Sequence, residues 1–240
     1  MIRTLYLHGF ASSPQSYKAR YLAQRFAAEG WPFEAPDLNG ADFRHLTITE
    51  QLRTVERRAA GQPVHLVGSS LGGWLAALYA ARHPEVRRLV LLAPAFGFPR
   101  LYAEFLGPAA VEAWRREGAL RLMHYGTGAE TELGWQFLED AMRYEDEPAI
   151  VQPCLIFHGV RDDVVPVQVS RQFARTRTCC ELREVDSDHE LRDQVEEIWL
   201  ATREFFSADW SVDPTTPAQS SGRPISPAGA REKSPKEAQD

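Results

Sequence analysis

The fold of this 240-residue chain is decided by the segment Gly68-Ser69-Ser70-Leu71-Gly72. The stretch before it, Pro63-Val64-His65-Leu66-Val67, is short and apolar, which is typical of a buried strand. The stretch after it, Leu71 to Arg82, is rich in alanine and leucine and predicts a helix. A serine between a strand and a helix, in the spacing G-x-S-x-G, indicates a nucleophile elbow with Ser70 at its apex. The alternative is a glycine-rich strand–helix turn without chemistry in another kind of α/β protein.

Two later segments supply partners for a serine nucleophile. Ile150 to Phe157 predicts a strand, followed by His158-Gly159-Val160-Arg161-Asp162-Asp163. Glu181 to Val185 predicts another strand, followed by Asp186-Ser187-Asp188-His189. The candidates therefore follow strand ends, where open parallel sheets place their sites. Their order along the chain, serine, acid and histidine, is that of the α/β-hydrolases.

Each candidate has a distinct chemical role. Ser70 is a weak nucleophile, so His189 must take its proton and later return it to the leaving group. Asp162 would hold the His189 ring in the correct tautomer, and Asp163 is its rival. His158 comes too early in the order to be the base. We expect His65 in the core or on a sheet face, and we expect three further histidines on the surface or in loops: His45, His83 and His124.

An oxyanion hole needs two backbone N–H donors near the nucleophile. The residue after the serine, Leu71, supplies the first. The loop after the first central strand, Thr4 to Leu7, begins with His8-Gly9 and makes the N–H of Phe10 the second candidate. The alternative for His8-Gly9 is a tight loop without a catalytic role.

The stretch from Leu7 to Ala19 reads L-H-G-F-A-S-S-P-Q-S-Y-K-A and resembles the opening of a family of small bacterial esterases. The resemblance covers roughly residues 2–206 and includes the elbow. It implies a single-domain α/β-hydrolase that hydrolyses carboxylic esters, with Ser70, Asp162 and His189 as its triad. The stretch from about 94 to 148 is longer than in minimal members of that family, so substrate preference does not follow. A broader resemblance links the chain to cofactor-free α/β-hydrolases with lyase or acyl-transfer chemistry.

Strand and helix patterns alternate along the chain, which predicts a mainly parallel six-stranded sheet with helices on both faces. If the first strand pairs as it does in α/β-hydrolases, the strand order is 2-1-3-4-5-6. The predicted strands lie near 3–7, 32–35, 63–67, 87–92, 151–157 and 181–185. The predicted helices lie near 16–29, 49–60, 71–82, 166–176 and 189–206. Thr47-Ile48-Thr49-Glu50 has the spacing of a capping box at the start of the second helix.

Two segments depart from this alternation. Residues 94–148 lie where α/β-hydrolases carry a cap, and Pro108–Glu117 and Thr131–Tyr144 each predict a helix there. The cap is rich in large apolar residues, of which we expect some to pack on the sheet and others to line an acyl pocket above Ser70.

Residues 207–240 are rich in proline and small polar residues, which predicts a disordered tail after a hydrolase domain at 1–206.

Composition excludes several other functions. The net charge is −6 and no basic patch stands out, so nucleic acid is not an expected partner. No apolar run approaches the length of a membrane span. The three cysteines are expected to be packing thiols in a cytoplasmic protein. No cysteine–histidine spacing indicates a metal site, and no cofactor is expected. The oligomeric state does not follow from the sequence.

These features together predict a serine carboxylesterase acting on small-molecule esters through an acyl-enzyme on Ser70. A thioesterase and a cofactor-free lyase or acyltransferase are alternatives on the same scaffold. A catalytically idle relative that serves as a binding module is an alternative of another class. Labelling by a fluorophosphonate distinguishes an enzyme from an idle relative, since only an activated serine reacts.

Overall fold

Residues 1–208 are described by a computed structural model of the chain. The tail predicted at 207–240 lies outside the described residues from position 209 onward. Residues 1–207 form one compact unit. Among residues 1–208, no helix is both long and apolar enough to cross a lipid bilayer.

A six-stranded sheet lies at the centre of this unit. The strands in chain order are β1 (Arg3–Leu7), β2 (Phe33–Glu34), β3 (Val64–Ser69), β4 (Val86–Leu92), β5 (Ala119–His124), β6 (Ala129–Gly134), β7 (Cys154–Gly159) and β8 (Cys180–Val185). The central sheet has the order β2-β1-β3-β4-β7-β8, and every pair in it is parallel. The predicted order, counted over these six strands, is confirmed.

Helices cover both faces of the sheet, because successive side chains of each strand point to opposite sides. The helices are α1 (Tyr17–Ala28), α2 (Ile48–Ala59), α3 (Leu71–Ala80), α4 (Phe98–Leu106), α5 (Pro108–Glu117), α6 (Gln136–Ala141), α7 (Val167–Arg175) and α8 (Val195–Ser207). On β1, Leu5 and Leu7 join the core beneath α2, α3 and α7. Tyr6 between them joins the core with Phe26 of α1 and Trp199 of α8.

The cap prediction is half right. Helix α5 covers Pro108–Glu117 as predicted and ends at Gly118 in the left-handed conformation. The helix predicted over Thr131–Tyr144 is wrong in its first part, because β6 pairs antiparallel with β5 there and only Gln136–Ala141 is helical. The pairing buries Leu133 completely, and the Trp114 indole N–H donates to the Leu133 carbonyl at 2.9 Å. Packing on α5 therefore favours a strand over a helix.

The tip of this β5–β6 hairpin returns to the carboxyl edge of the sheet. The Gly126 N–H donates to the Ala11 carbonyl at 3.1 Å, just beyond the loop that follows β1. A Cβ on Gly126 would lie 2.9 Å from the Ser12 carbonyl oxygen, so the approach requires glycine. His124 is buried beneath the tip, against the surface position predicted for it, because its ring packs edge-on against Phe43 at 4.8 Å.

Candidate active site

Ser70 stands in a strained turn between β3 and α3. Its φ of 54° is uncommon for a residue with a side chain. A Cβ on Gly68 would lie 2.3 Å from the Gly72 carbonyl oxygen, and one on Gly72 would lie 2.0 Å from the Leu7 carbonyl oxygen. The turn therefore requires both glycines for close packing. The Ser70 hydroxyl does not cap α3, which leaves it free for another partner.

The structure brings Ser70, His189 and Asp162 together in a chain of hydrogen bonds. The Ser70 Oγ lies 3.1 Å from His189 Nε2, and His189 Nδ1 lies 2.7 Å from Asp162 Oδ2. A carboxylate only accepts, so Nδ1 carries the proton and Nε2 is left to accept the proton of Ser70. This is the tautomer that a general base for Ser70 requires.

The neighbouring carboxylates are engaged elsewhere or point into solvent. Asp163 is exposed. Asp186 lies 3.1 Å from the Arg161 guanidinium. Asp188 accepts from the backbone N–H groups of Glu190 and Leu191, and thereby shapes the loop that carries His189. Of the carboxylates near this loop, Asp162 is the one that faces the His189 ring.

The Asp162 side chain is fully buried, and its carboxylate accepts hydrogen bonds from three donors and lies in close contact with a fourth. Its Oδ1 accepts from the N–H groups of Val164 and Val165 at 2.9 and 2.7 Å. Its Oδ2 faces His189 and also His158, whose Nε2 lies 3.2 Å away. Burial alone would raise the pKa of Asp162, but the hydrogen bonds from the two histidines and the charge of His189 outweigh it. The carboxyl pKa is held well below its usual range, so the group is ionised near neutral pH.

His158 contacts Asp162, which the order of the motifs along the chain does not reveal. As the sequence predicts, it lies at the end of β7 and does not face Ser70. Its side chain is nevertheless fully buried against Asp162, four residues later. The spacing H-x-x-x-D across a strand end is the signal that could have indicated this contact.

Lys18 is a second residue whose position the sequence did not reveal, although it belongs to the amino-terminal motif. It lies on α1, is 7% exposed, and its Nζ donates to the Glu190 carbonyl at 2.7 Å. Burial lowers the pKa of its ammonium group, which the nearby carboxylate of Glu190 partly opposes. The bond joins α1 to the residue that follows His189, 172 positions away in sequence.

The loop after β1 lies directly beside Ser70. A Cβ placed on Gly9 would be 3.4 Å from the Ser70 Cβ. The peptide N–H that follows Gly9 in the chain is that of Phe10. Within residues 1–208, neither the Phe10 N–H nor the Leu71 N–H donates to a protein acceptor. His8 is buried and braces this loop, since its Nε2 accepts the Leu38 N–H at 3.1 Å. Both predicted donors are thus unpaired at the edge that carries Ser70.

Aromatic side chains of the cap surround the Phe10 ring. Ring centroids of Phe98, Tyr102 and Phe137 lie 5.7, 5.1 and 5.5 Å from that of Phe10. Phe98 and Phe137 are buried, while Tyr102 is partly exposed. Burial raises the pKa of the Tyr102 hydroxyl to about 12, so the group is neutral. The cap therefore presents an apolar wall beside the loop that contains Phe10.

The described residues show no arrangement that could hold a metal ion. Within residues 1–208, no group of three or more histidine, cysteine, aspartate or glutamate side chains is placed to bind one. Cys154, Cys179 and Cys180 are free thiols.

Comparisons with known proteins agree with this fold. The sequence model of the family described as "Uncharacterised protein family (UPF0227)" matches residues 3–206. No curated protein sequence matches the chain. Among solved structures, mouse alpha/beta hydrolase domain-containing protein 10 is 20% identical, with a TM-score of 0.72 over 85% of this chain and 88% of that one.

Two bacterial structures are also similar to the chain. Est1E from Butyrivibrio proteoclasticus, solved with ferulic acid bound, is 20% identical, with a TM-score of 0.71 over 86% of this chain and 88% of that one. The esterase domain of a Rhodothermus marinus protein is 20% identical, with a TM-score of 0.61 over 85% of each chain. At this level of identity, the likeness shows that the chain has the α/β-hydrolase fold.

Proposed function

The chain belongs to the uncharacterised protein family UPF0227, and we propose that it is a serine hydrolase that cleaves carboxylic esters. The observation that carries the proposal is the continuous path from Ser70 Oγ through His189 to Asp162, with distances of 3.1 and 2.7 Å. Similarity to the structure described as the esterase domain of a Rhodothermus marinus protein supports it. A binding module would not need a serine, a base and an ionised acid in this arrangement.

In the acylation step, the Ser70 Oγ attacks the ester carbonyl carbon while His189 Nε2 takes the hydroxyl proton. The carbonyl oxygen becomes an oxyanion, which the N–H groups of Phe10 and Leu71 would stabilise. Each such donor contributes roughly 3–4 kcal/mol to the transition state. Asp162 stabilises the imidazolium that forms on His189. When the tetrahedral intermediate collapses, the bond to the alcohol oxygen breaks and His189 gives that oxygen its proton.

Deacylation repeats these steps with water as the nucleophile. His189 takes a proton from water as the water oxygen attacks the carbonyl carbon of the acyl-enzyme. Collapse releases the carboxylic acid and returns the proton from His189 to Ser70. Ester and water are thus the only reactants, and Ser70, His189 and Asp162 return to their starting states.

The alcohol or acyl portion of the ester would pack on the aromatic wall of the cap. Phe98 and Phe137 are already buried, so the partly exposed Tyr102 is the cap residue most available to substrate. Loss of water from an apolar wall favours binding in proportion to the area covered. We therefore expect esters with an apolar group to be preferred over equally small polar ones.

A comparison of two adjacent serines tests the proposal. Ser70→Ala should abolish hydrolysis of p-nitrophenyl esters, with a loss in kcat of about 10⁴-fold or more, because the nucleophile is gone. It should also abolish labelling by a fluorophosphonate. Ser69→Ala is the matched control and should keep most of both. The proposal fails if the wild-type protein is neither labelled nor active on a panel of acyl chain lengths.

A further inference from the structure

His158 has two groups of partners that together define its protonation. Its Nε2 lies 2.9 Å from the Val165 carbonyl oxygen and 3.2 Å from Asp162 Oδ2. Both atoms only accept, so Nε2 must carry a proton, which it donates to the Val165 carbonyl while Oδ2 lies beside it. Its Nδ1 lies 2.7 Å from the Ser170 Oγ. The imidazole is completely buried, so all of its hydrogen bonds are with protein groups.

Ser170 decides the state of the other ring nitrogen. Its hydroxyl is completely buried on α7, and within residues 1–208 its one hydrogen-bond partner is His158. If Nδ1 is unprotonated, the hydroxyl donates to it and both groups are satisfied. If Nδ1 carried a proton, the Ser170 hydroxyl proton would have no acceptor, which is costly for a buried group. The neutral ring with its proton on Nε2 satisfies every atom.

We propose that His158 is a positioning residue that fixes the Asp162 carboxylate for His189, an inference that rests on the function proposed above. Its Nε2 lies 3.2 Å from Oδ2 and donates its proton to the Val165 carbonyl, while the N–H groups of Val164 and Val165 hold Oδ1. The carboxylate therefore cannot rotate away from His189 without losing hydrogen bonds. Its remaining acceptor capacity is directed at His189 Nδ1, 2.7 Å away.

The charged groups around His158 leave this arrangement intact. On β8, Glu184 is the register partner of His158, and its carboxylate is engaged by Arg171 of α7. Asp162 is the carboxylate in direct contact with the imidazole. A neutral His158 therefore adds no charge to the site, and it partly neutralises the Oδ2 atom that His189 shares. Loss of this N–H should leave more negative charge on Oδ2 for the His189 imidazolium.

The tautomer can be measured without any substrate. The ¹⁵N chemical shifts of histidine ring nitrogens distinguish protonated from unprotonated nitrogen in the intact protein. We expect His158 to show a protonated Nε2 and an unprotonated Nδ1 in the folded wild-type protein. Ser170→Ala, which removes the donor to Nδ1, should weaken this preference. A protonated Nδ1 in the wild-type protein would overturn the proposal.

Three variants test the role in activity. His158→Leu removes the donor and should slow fluorophosphonate labelling of Ser70 about 10- to 100-fold, the range for a lost hydrogen bond to a charged group. His158→Gln places an amide N–H near the position of Nε2 and should restore labelling to within about threefold of wild type. His65→Leu is the matched control, because His65 is also buried but contacts none of these residues. It should label like wild type.

The pH profile separates positioning from a general loss of structure. In His158→Leu, the acid limb of the labelling rate should move to higher pH, because the greater negative charge on Asp162 Oδ2 favours the imidazolium form of His189. In His65→Leu, the limb should not move. A folded His158→Leu with wild-type rate and acid limb would overturn the proposal. Labelling without hydrolysis of any ester would instead refute the ester substrate and leave the role of His158 standing.

Discussion

Asp162→Asn is the substitution for which the structure makes the sharpest prediction. Asparagine has nearly the same shape, and its Oδ1 can still accept the N–H groups of Val164 and Val165. Its Nδ2 then faces His158 Nε2 and His189 Nδ1, which are both donors. Turning the amide over places Nδ2 against the two backbone N–H groups instead. In either orientation, the asparagine amide N–H faces other N–H donors and these donors lose their acceptor.

The magnitude follows from these contacts. The His189 hydrogen bond to a charged acceptor is lost at Oδ2, which is worth about 1.5–3 kcal/mol. This alone corresponds to a decrease of about 10- to 10²-fold, since 1.36 kcal/mol is a factor of ten in rate. His189 relieves the donor–donor contact by moving its proton to Nε2, which then cannot accept from Ser70. In serine proteases this wrong tautomer costs about 10⁴-fold in kcat, so we expect a total loss approaching that value.

The assay compares kcat for Asp162→Asn and Asp163→Asn on one p-nitrophenyl ester. Asp163 is exposed, and its substitution should change kcat by less than about twofold. Circular dichroism should show both variants folded. Equal and small losses would refute the assignment of Asp162 and make Asp186 and Asp188 the next residues to test. A loss in Asp163→Asn alone would show that the loop has a different register in solution.

Three other substitutions have defined outcomes. Lys18→Met removes the donor to the Glu190 carbonyl and should lower kcat about tenfold with little change in KM. Glu190→Gln keeps that carbonyl and should leave kcat and KM nearly unchanged in the same assay. Burial and neighbouring arginines lower the pKa of His65 from 6.5 to about 3. Between these pH values the unfolded state binds more protons than the folded state. The free energy of unfolding should therefore fall as the pH falls below 6.5. Between pH 6.5 and 5 the loss is about 2 kcal/mol in urea unfolding, and it should disappear in His65→Gln; an unchanged pH dependence would contradict this. Gly72→Ala would place a Cβ 2.0 Å from the Leu7 carbonyl oxygen and should cost about 3 kcal/mol or more, so a wild-type Tm would refute the close-packing argument.

The sequence predicts the central sheet well because its signals are local. Each strand is a short apolar run bounded by turn residues. The strand order is expected from the resemblance to α/β-hydrolases. The capping box at Thr47 is an example of such a signal, since its Oγ1 accepts the Glu50 N–H at 3.1 Å. The positions of Ser70, Asp162 and His189 relative to their strands are local in the same sense.

The features that the sequence does not predict depend on contacts between distant segments. Residues 129–134 form a strand because they pair with 119–124, although their own composition permits a helix. His124 is buried by Phe43, 81 positions earlier. Lys18 and Glu190 are likewise separated by 172 positions. Local propensity carries no information about such partners, so neither the hairpin nor the lysine contact follows from it.

The attachment of the β5–β6 hairpin has a consequence for how this enzyme scaffold could diversify. Its tip is bonded to Ala11, the residue next to the proposed donor Phe10. A cap transplanted from a relative would therefore arrive without the hydrogen bond that holds this loop, and insertions in the hairpin would displace the loop with it. Changes in substrate range made through the cap are thus coupled to the catalytic rate. We expect recombination within this family to succeed when residues 8–13 and 119–134 are exchanged as one unit, and to fail when they are exchanged separately.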